Sequence, residues 1–340
     1  MEFIFLILLI SLLLVFVYLV KKWGNGPLNP IKKDLSGKLI IITGSSDGIG
    51  LETAKDLINS NAKVIFACRN KNKTENIINN LPEDLKKNAF FEQLDLSSFK
   101  SIEIFVKEIK TKFQKIDILI NNAGIASDLN KTEDGFINIF QVNYLGNVLL
   151  TLLLLDHFND KESRIINVSS MGYKYSKLIF GYFKLLNNYD FKSKSFYNFK
   201  MSEDQLYIDS KLLLIYFSQY LANYFEKKFS YLKIVCLHPG VIFTNLIKMN
   251  NFFQKLIFNV IFRPIFFLIA KDAIHGAQTT LFLAYSDNRD LVNGGYYNNL
   301  KIEKYTPIGR DEKLRNEMVN ETLNILKTKY KELEYLPLSE

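Results

Sequence analysis

The chain has 340 residues, of which 48% are hydrophobic and 23% are charged, and its formal net charge is +8. This length suits one α/β domain with appendages, and the lack of a clustered Lys/Arg module excludes a nucleic-acid-binding protein. The two cysteines, Cys68 and Cys236, lie inside apolar runs, which excludes a disulfide framework and indicates a reducing compartment. The histidines have no metal-ligand spacing, so no metal site is predicted.

The N-terminal segment is strongly apolar. Phe3–Val20 contains no charged residue, and Lys-Lys-Trp follows it directly. As a helix it just spans a hydrocarbon core of about 30 Å, at about 1.5 Å per residue. A cleaved signal peptide would have a basic start, a shorter apolar core and a small-residue cleavage site, whereas Glu2 stands at this start. We therefore predict that residues 1–23 are an uncleaved membrane anchor.

The rest of the chain alternates strand-like and helix-like segments. Residues 24–34 contain two glycines and two prolines, so residues 24–37 are predicted to be a linker. Short apolar runs, typical of strands buried on both faces of a parallel sheet, are Leu39–Thr43, Val64–Cys68, Ala89–Leu94, Ile116–Ile120, Ile165–Ser169 and Leu232–Leu237. The predicted helices between them are Ile49–Ser60, Ser98–Phe113, Phe136–Phe158 and Ser202–Phe225. We predict one α/β domain with a doubly wound parallel sheet over residues 38–300, and a C-terminal helical tail over residues 301–340.

A glycine-rich segment, Thr43–Gly50, follows the first predicted strand and opens the first predicted helix. Glycines let the backbone turn tightly and approach a pyrophosphate, and the helix N-terminus adds free N–H groups and a positive dipole. Three glycines at variable spacing are common, so it is their position between strand and helix that makes the motif informative. The predicted contacts with a dinucleotide are Gly44, Ser46, Gly48, Ile49 and Gly50.

The end of the second predicted strand distinguishes between the two nicotinamide dinucleotides. A site for NAD(H) usually places a carboxylate there, which holds the 2′-hydroxyl of the adenosine ribose. This chain has Arg69 and no acid, and a planar guanidinium suits the 2′-phosphate of NADP(H). Asp47 argues the other way, because it adds negative charge near the phosphates. We predict NADP(H) rather than NAD(H).

The order of motifs between Lys38 and Leu300 resembles that of the short-chain dehydrogenase/reductase family, which implies a Rossmann-type fold. The resemblance implies further cofactor contacts after the third, fourth and last strands, namely Asp95, Leu96, Asn121, Ala123, Gly124, Pro239, Gly240 and Thr244. It also implies a catalytic tetrad, namely Asn143, Ser170, Tyr207 and Lys211, of which Tyr207 and Lys211 also bind the cofactor. The gap from Ser170 to Tyr207 is longer than in most members, so residues 171–200 are predicted to be an insertion.

The residue types of the tetrad suit hydride transfer that is coupled to proton transfer. A tyrosine with a pKa of about 10 is a poor acid or base unless its anion is stabilised. Tyr207 and Lys211 share one face of a helix, so the Lys211 ammonium and an oxidised nicotinamide ring are expected to lower the pKa of Tyr207. Ser170 can donate to the substrate oxygen. The resemblance implies that Asn143 bends its helix and positions a water for proton relay.

The pattern Tyr-x-x-x-Lys recurs along the chain, so it does not identify the site alone. One copy begins at Tyr173, in the loop that leaves the serine strand. Another begins at Tyr224, about 25 Å from Tyr207 along the same helix. Tyr207 alone follows the serine strand by a crossover and begins a long apolar helix. Ser169 is the alternative to Ser170, which aligns with the family's serine.

The closest resemblance is to the retinol dehydrogenase-like branch. It rests on Phe66–Asn70, Phe191–Lys200, His238–Val241, Gly276–Thr280 and Gly294–Tyr297. The branch implies a lipophilic alcohol, aldehyde or ketone as substrate and an anchor in the endoplasmic reticulum, although retinol itself does not follow from it. The alternative is a catalytically silent nucleotide-binding scaffold, which a complete tetrad disfavours. A homo-oligomer is compatible with the sequence, which leaves the oligomeric state open.

Charge around the apolar span predicts its orientation. Four lysines within residues 21–33 follow the span and only Glu2 precedes it, so the domain is expected to face the cytosol. Phe252–Ala270 is also apolar, but two charges and a proline disfavour a second spanning helix. The family places its substrate lid here, so residues 245–270 are predicted to be a membrane-proximal lid that lies in the lipid interface. An ordinary packed lid helix is the alternative.

Overall fold

The structure is a computed structural model that describes residues 2–187, 189–190, 195–196, 202–226, 231–241 and 270–338. Thr244 and the predicted lid, apart from Ala270, lie outside the described residues. Parts of the predicted insertion, including most of Phe191–Lys200, also lie outside them.

One central sheet of eight strands organises the domain. In chain order the strands are β1 (Leu39–Thr43), β2 (Lys63–Cys68), β3 (Ala89–Gln93), β4 (Ile118–Asn121), β5 (Ser163–Val168), then a separate small hairpin of β6 (Tyr189–Asp190) and β7 (Ser195–Phe196), then β8 (Leu232–His238), β9 (Tyr296–Asn298) and β10 (Lys301–Glu303). The spatial order is β10-β9-β8-β5-β4-β1-β2-β3, and neighbours are parallel except β9 and β10. The predicted doubly wound fold is confirmed. The strand order reverses between β1 and β4, where such folds bind dinucleotides.

Helices cover both faces of this sheet. They are α1 (Glu2–Asn25), α2 (Gly48–Asn59), α3 (Lys71–Asn79), α4 (Glu83–Lys86), α5 (Phe99–Lys112), α6 (Asn138–Phe140), α7 (Gly146–Leu154), α8 (Tyr182–Asn187), α9 (Glu203–Phe225), α10 (Ala273–Tyr285) and α11 (Glu312–Lys327). α2 packs beside α10 on one face, and α5, α7 and α9 pack on the other. Several helices begin at a side chain that accepts a backbone N–H, as expected for N-caps; these are Asp47, Asn70, Ser98, Ser202, Asp272 and Asp311.

The central strands are buried on both faces, as their continuous apolar runs predicted. Ile40 and Ile42 of β1 belong to the core under α2 and α10, whereas Leu39 and Ile41 belong to the core under α5, α7 and α9. This alternation follows from the two-residue period of a strand. Cys68 and Cys236 are buried free thiols within these layers.

The C-terminal residues complete the domain. β10 forms the edge of the sheet, three residues past the predicted end of the domain at residue 300. α11 then packs against α9 and contributes Leu314, Met318 and Leu323 to the core on that face. The Tyr144 and Thr322 hydroxyls lie 2.8 Å apart, which ties α11 to the helix that precedes β5. The predicted tail is therefore part of the folded core.

Within the part of the chain that the structure describes, two helical segments are long and apolar enough to span a membrane. Phe5–Asn25 of α1 is mostly exposed, whereas Asn138–His157 is largely buried in the core of the domain. Burial explains the apolar character of the second segment. α1 is the candidate membrane span.

Candidate active site

The glycine-rich loop between β1 and α2 requires glycine at defined positions. Gly44 has a φ of +66°, and a Cβ on it would lie 3.0 Å from the Ala123 Cα. A Cβ on Gly50 would lie 2.6 Å from the Gly44 carbonyl oxygen. Gly48 has a φ of +50° and open space in front of it. The loop is thus packed on the end of β4 and open on the other side, which fits a dinucleotide phosphate group.

Hydrogen bonds between the end of β1 and the segment after β4 hold this loop in place. These bonds were not predicted from the sequence. The Thr43 hydroxyl accepts hydrogen bonds from the Asn122 and Ala123 N–H groups, both at 3.0 Å. The Asn122 amide donates to the Thr43 carbonyl oxygen at 2.9 Å. Asn122 lies between Asn121 and Ala123, which were both predicted to contact the cofactor. This position in the motif is the sequence signal that could have identified Asn122 as part of the site. These bonds fix the glycine loop relative to Gly124.

Three other predicted cofactor contacts lie on neighbouring strand ends. The Asn121 amide donates to Asn167 Oδ1 at 2.7 Å and to Thr151 Oγ1 at 3.0 Å, so its side chain points into the protein. Asp95 is partly exposed and accepts from the Ser97 backbone N–H and hydroxyl. The Leu96 carbonyl oxygen faces α7, where a Cβ on Gly146 would lie only 2.5 Å away. The Asn121 amide is therefore engaged within the protein, beside β5 and α7.

A basic group stands at the carboxyl end of β2. Arg69 is exposed and forms no ion pair with any residue that the structure describes. Lys73, one turn into α3, bonds Asp47 at 2.7 Å, and this bond lowers the pKa of the Asp47 carboxyl. Asp47 also caps α2 through the Gly48 N–H. The Asp47 charge that argued against NADP(H) is therefore balanced by Lys73, which the sequence analysis did not single out.

Three tetrad residues meet where β5 ends and α9 begins. The Ser170 side chain lies beside Tyr207 and acts to lower the pKa of its hydroxyl, and the Ser170 hydroxyl accepts the Gly172 N–H at 3.1 Å. Lys211 Nζ lies 5.7 Å from the centre of the Tyr207 ring and donates to the Val168 carbonyl oxygen at 3.0 Å. Lys211 is buried, with 4% of its surface exposed. The four-residue spacing thus places both side chains on one face of α9, as predicted.

Burial dominates the protonation of this group. It raises the pKa of Tyr207 above its usual value, and the Ser170 hydrogen bond opposes this only in part. Burial also lowers the pKa of Lys211 to about 8. The expected lowering of the Tyr207 pKa by Lys211 is therefore wrong for the protein alone. The reason is that the ammonium points at the Val168 carbonyl, while burial disfavours the tyrosinate.

Asn143 lies in a turn of π-helix, Gln141–Leu145, between α6 and α7. Its side chain is buried and pairs with the backbone of Ile125, accepting from the N–H at 2.8 Å and donating to the carbonyl at 2.9 Å. It also donates to the Ser210 hydroxyl at 3.2 Å. A π-turn inside an α-helix often marks a functional site. Here it brings Asn143 between the segment after β4 and the start of α9.

The competing residues have other partners. The Ser169 hydroxyl donates to the Lys211 carbonyl oxygen at 2.9 Å and thereby faces away from Tyr207. Tyr173 is fully buried, with its ring 5.2 Å from that of Tyr296. The ring of Tyr224 stacks on that of Tyr220 at 6.1 Å. Of the described tyrosines that begin this pattern, Tyr207 is the one with a serine hydroxyl and a lysine beside it.

The loop after β8 closes the site from another side. Pro239 is buried, and Gly240 has a φ of +100°, with Lys271 so close that a Cβ would lie 2.5 Å from its Cδ. His238 Nδ1 accepts the Met171 N–H at 3.1 Å, directly after Ser170. Burial lowers the pKa of His238 to about 4, so the imidazole is neutral at physiological pH. This neutral acceptor fixes the backbone next to Ser170.

Comparisons with known proteins agree with this arrangement. The family model described as short chain dehydrogenase matches residues 38–181. Retinol dehydrogenase 13 of Mus musculus is 32% identical over 311 residues, which cover 91% of this chain and 89% of that protein. Retinol dehydrogenase 14 of Homo sapiens is 33% identical over 300 residues, covering 84% of each chain. The chain therefore belongs to the short-chain dehydrogenase/reductase family, in its retinol dehydrogenase-like branch.

Solved structures share the fold. A Mycobacterium Paratuberculosis protein described as uncharacterized superposes with a TM-score of 0.68 at 24% identity, covering 88% of this chain and 96% of that one. A short chain dehydrogenase from Burkholderia cenocepacia, solved in complex with NADP, has a TM-score of 0.57 at 21% identity and covers 78% and 96%. The family makes this chain an oxidoreductase that interconverts alcohols and carbonyl compounds.

Proposed function

We propose that this protein is an NADP(H)-dependent oxidoreductase that interconverts a lipophilic alcohol and its aldehyde or ketone. The observation that carries the proposal is the buried Lys211 ammonium 5.7 Å from the centre of the Tyr207 ring, with the Ser170 side chain beside the same tyrosine. The lipophilic substrate class is supported by the two similar retinol dehydrogenases, which carry it in their names.

The residues of the site divide the proton chemistry among them. A bound nicotinamide supplies or accepts the hydride. In the reducing direction, Ser170 donates a hydrogen bond to the carbonyl oxygen, and Tyr207 transfers its proton to that oxygen as the hydride reaches the carbon. In the oxidising direction Tyr207 takes the proton back. Lys211 would hold the nicotinamide ribose, and its ammonium would help to stabilise the tyrosinate when the oxidised cofactor is bound. Asn143 holds the loop at Ile125 and positions the relay water.

The experiment that tests this function is a substrate screen. Purified full-length protein in detergent is mixed with NADPH and a panel of long-chain aldehydes, prenyl aldehydes and sterol ketones, and NADPH oxidation is followed. Saturable turnover of at least one lipophilic carbonyl compound supports the proposal. Tight NADPH binding without turnover of any panel member in either direction would favour the alternative, a silent nucleotide-binding scaffold.

NADP(H) selectivity is proposed to come from Arg69, whose exposed guanidinium stands at the end of β2 beside Lys73. Arg69→Ala is expected to weaken NADPH binding by about ten- to a hundredfold, since one charged hydrogen-bonding partner is worth roughly 1.5–3 kcal/mol. NADH binding should hardly change. Cofactor fluorescence titration measures both constants.

The matched control is Arg289→Ala, which removes an exposed arginine from the short turn after α10 and should leave both dissociation constants unchanged. Equal weakening of NADPH and NADH by Arg69→Ala would show that Arg69 does not bind the 2′-phosphate.

We further propose that α1 anchors the protein in a membrane, that of the endoplasmic reticulum, with the catalytic domain in the cytosol. The exposed apolar surface of Phe5–Asn25 supports the anchor, and the lysines that follow it support the orientation. Protease added to sealed microsomes should degrade the domain. Protection of the domain until detergent is added would reverse the orientation.

A further inference from the structure

The segment that joins α1 to the domain is bonded to the domain at several points. Lys21, at the end of the apolar part of α1, donates to the Ala270 carbonyl oxygen at 2.6 Å. The Asn29 N–H donates to Gln278 of α10 at 2.8 Å, and Lys33 bonds Asp287 at 2.6 Å. The predicted linker thus fixes the domain relative to the anchor.

Large apolar side chains are exposed around this junction. Trp23 is 79% exposed, Leu28 is 60% exposed, and Ile274, in the first turn of α10, is 55% exposed. Leu28 precedes Asn29, which bonds Gln278 one helical turn from Ile274. The Trp23 carbonyl oxygen accepts the Gly26 N–H at 3.2 Å, and Gly26 lies against Lys271, three residues before Ile274. We call Trp23, Leu28 and Ile274 the junction surface.

The charges beside the junction surface suit phospholipid headgroups. Lys22 and Lys32 are exposed. Asp272, which caps α10, bonds His275 at 2.8 Å, and the charge of Lys21 helps to keep its pKa low. The acidic group of α10 is thus balanced, and the exposed lysines leave this neighbourhood basic. Apolar side chains among basic ones are typical of surfaces that lie in a lipid interface.

The junction between α1 and the domain also lies next to the loop that follows β8. The Lys271 N–H donates to the Val241 carbonyl oxygen at 2.8 Å, and the Lys271 side chain packs on Gly240. Lys271 Nζ donates to Asn299 at 2.7 Å, and a Cβ on Gly26 would lie 3.2 Å from the same Nζ. One buried lysine therefore touches the anchor junction and the loop that follows β8.

We propose that the junction surface docks onto the bilayer that holds α1, so that the catalytic domain lies on the membrane in one orientation with the β8 loop at the lipid surface. This rests on the proposed role of α1 as a membrane anchor. The bonded junction removes the freedom that a flexible tether would give, because Lys21, Asn29 and Lys33 each hold the domain against the end of α1 and the segment that follows it. A substrate dissolved in lipid then reaches the site without crossing bulk water.

A fluorescent label at two matched positions tests the docking. Full-length Ile274→Cys and Ile104→Cys are each labelled with an environment-sensitive maleimide, since Cys68 and Cys236 are buried. Ile104 is 52% exposed on α5, so it matches Ile274 in exposure. Both proteins are reconstituted into phosphatidylcholine vesicles with and without phosphatidylserine. We expect the label at position 274 to shift to the blue and to be quenched several-fold by brominated lipid, and the label at position 104 to stay unchanged.

Trp23 is the sole tryptophan, so its quenching in the unlabelled protein reports the anchor separately. Quenched Trp23 with identical behaviour at positions 274 and 104 would overturn the docking and leave the anchor standing. Unquenched Trp23 would overturn both, whereas the NADPH screen in detergent tests the chemistry independently. Leu28→Cys repeats the measurement should Ile274→Cys fold poorly, and an unshifted label there overturns the docking as well.

A kinetic comparison gives a second readout. Ile274→Ser is expected to raise the KM for a long-chain aldehyde supplied in vesicles several-fold and to leave the KM for a short water-soluble aldehyde unchanged. Ile104→Ser should change neither constant. An equal effect of Ile274→Ser on both substrates would show that residue 274 acts on the site and not on delivery from lipid, and would overturn the docking.

Discussion

Tyr207→Phe is expected to lower turnover by about a hundred- to ten-thousandfold, the usual size of a general acid–base contribution, with cofactor binding nearly unchanged. Phenylalanine keeps the ring beside the Lys211 ammonium and removes only the hydroxyl next to Ser170. The loss should therefore appear in kcat rather than in the dissociation constant for NADPH. Steady-state kinetics and a fluorescence titration measure the two quantities on the same sample.

Tyr224→Phe is the matched control, because Tyr224 begins another Tyr-x-x-x-Lys pattern on the same helix and its ring stacks on Tyr220. This variant should keep its parent's turnover. Turnover within a few-fold of the parent in Tyr207→Phe would remove Tyr207 from the proposed mechanism. An equal loss in both variants would point to damaged packing of α9 instead.

Lys211→Met is expected to lower turnover by at least about a hundredfold and yet not to lower the melting temperature. Lys211 is a buried cation whose one hydrogen bond within the described structure goes to the Val168 carbonyl, and burial lowers its pKa to about 8. Relative to a lysine in water this shift corresponds to roughly 3 kcal/mol against the folded state, which exceeds the roughly 1 kcal/mol of one hydrogen bond. The proposed mechanism therefore requires the Lys211 charge, although burial of that charge lowers the free energy of unfolding.

The destabilising effect of the buried Lys211 charge should depend on pH. Because the folded chain releases the Lys211 proton near pH 8 and the unfolded chain near its usual pKa of about 10.5, the stability of the parent rises with pH between these values. The difference in the free energy of unfolding between Lys211→Met and its parent should therefore be largest below pH 8 and decrease toward pH 10. Thermal unfolding at several pH values measures it. Lys177→Met, at an exposed lysine of a competing pattern, should change neither turnover nor stability; a melting temperature of Lys211→Met well below the parent at pH 7 would contradict the argument.

The sheet and the site were predictable for different reasons. Ile40, Ile41 and Ile42 are buried in alternate layers, and an apolar run without alternation is what a strand covered on both faces requires. The pairing of Tyr207 with Lys211 followed from helical spacing, because a separation of four residues places two side chains on one face. Such local rules act within a few residues, so the sequence alone reveals them.

The features that were missed depend on contacts between distant segments. Lys73 and Asp47 are both exposed, and nothing in their sequence neighbourhoods announces the bond between them. β9 and β10 have three residues each, too few to show a strand period. The direction of the Tyr207 pKa shift depends on how deeply the hydroxyl is buried, which spacing along the chain does not show.

The last helix has a consequence for the order in which the protein is made. The residues from Gly309 to the end of the described chain cover α9: the Gln219 amide donates to the Gly309 carbonyl oxygen at 3.0 Å, α11 packs on α9, and the Tyr220 hydroxyl donates to the Pro337 carbonyl oxygen at 2.6 Å. These covering residues leave the ribosome after every residue of the catalytic tetrad. The nascent chain therefore carries an open apolar face until these residues have been made. A stop codon placed after the tetrad but before Gly309 would leave this face of α9 permanently uncovered. We expect such a truncated chain to aggregate or to be degraded, even though all four tetrad residues are present.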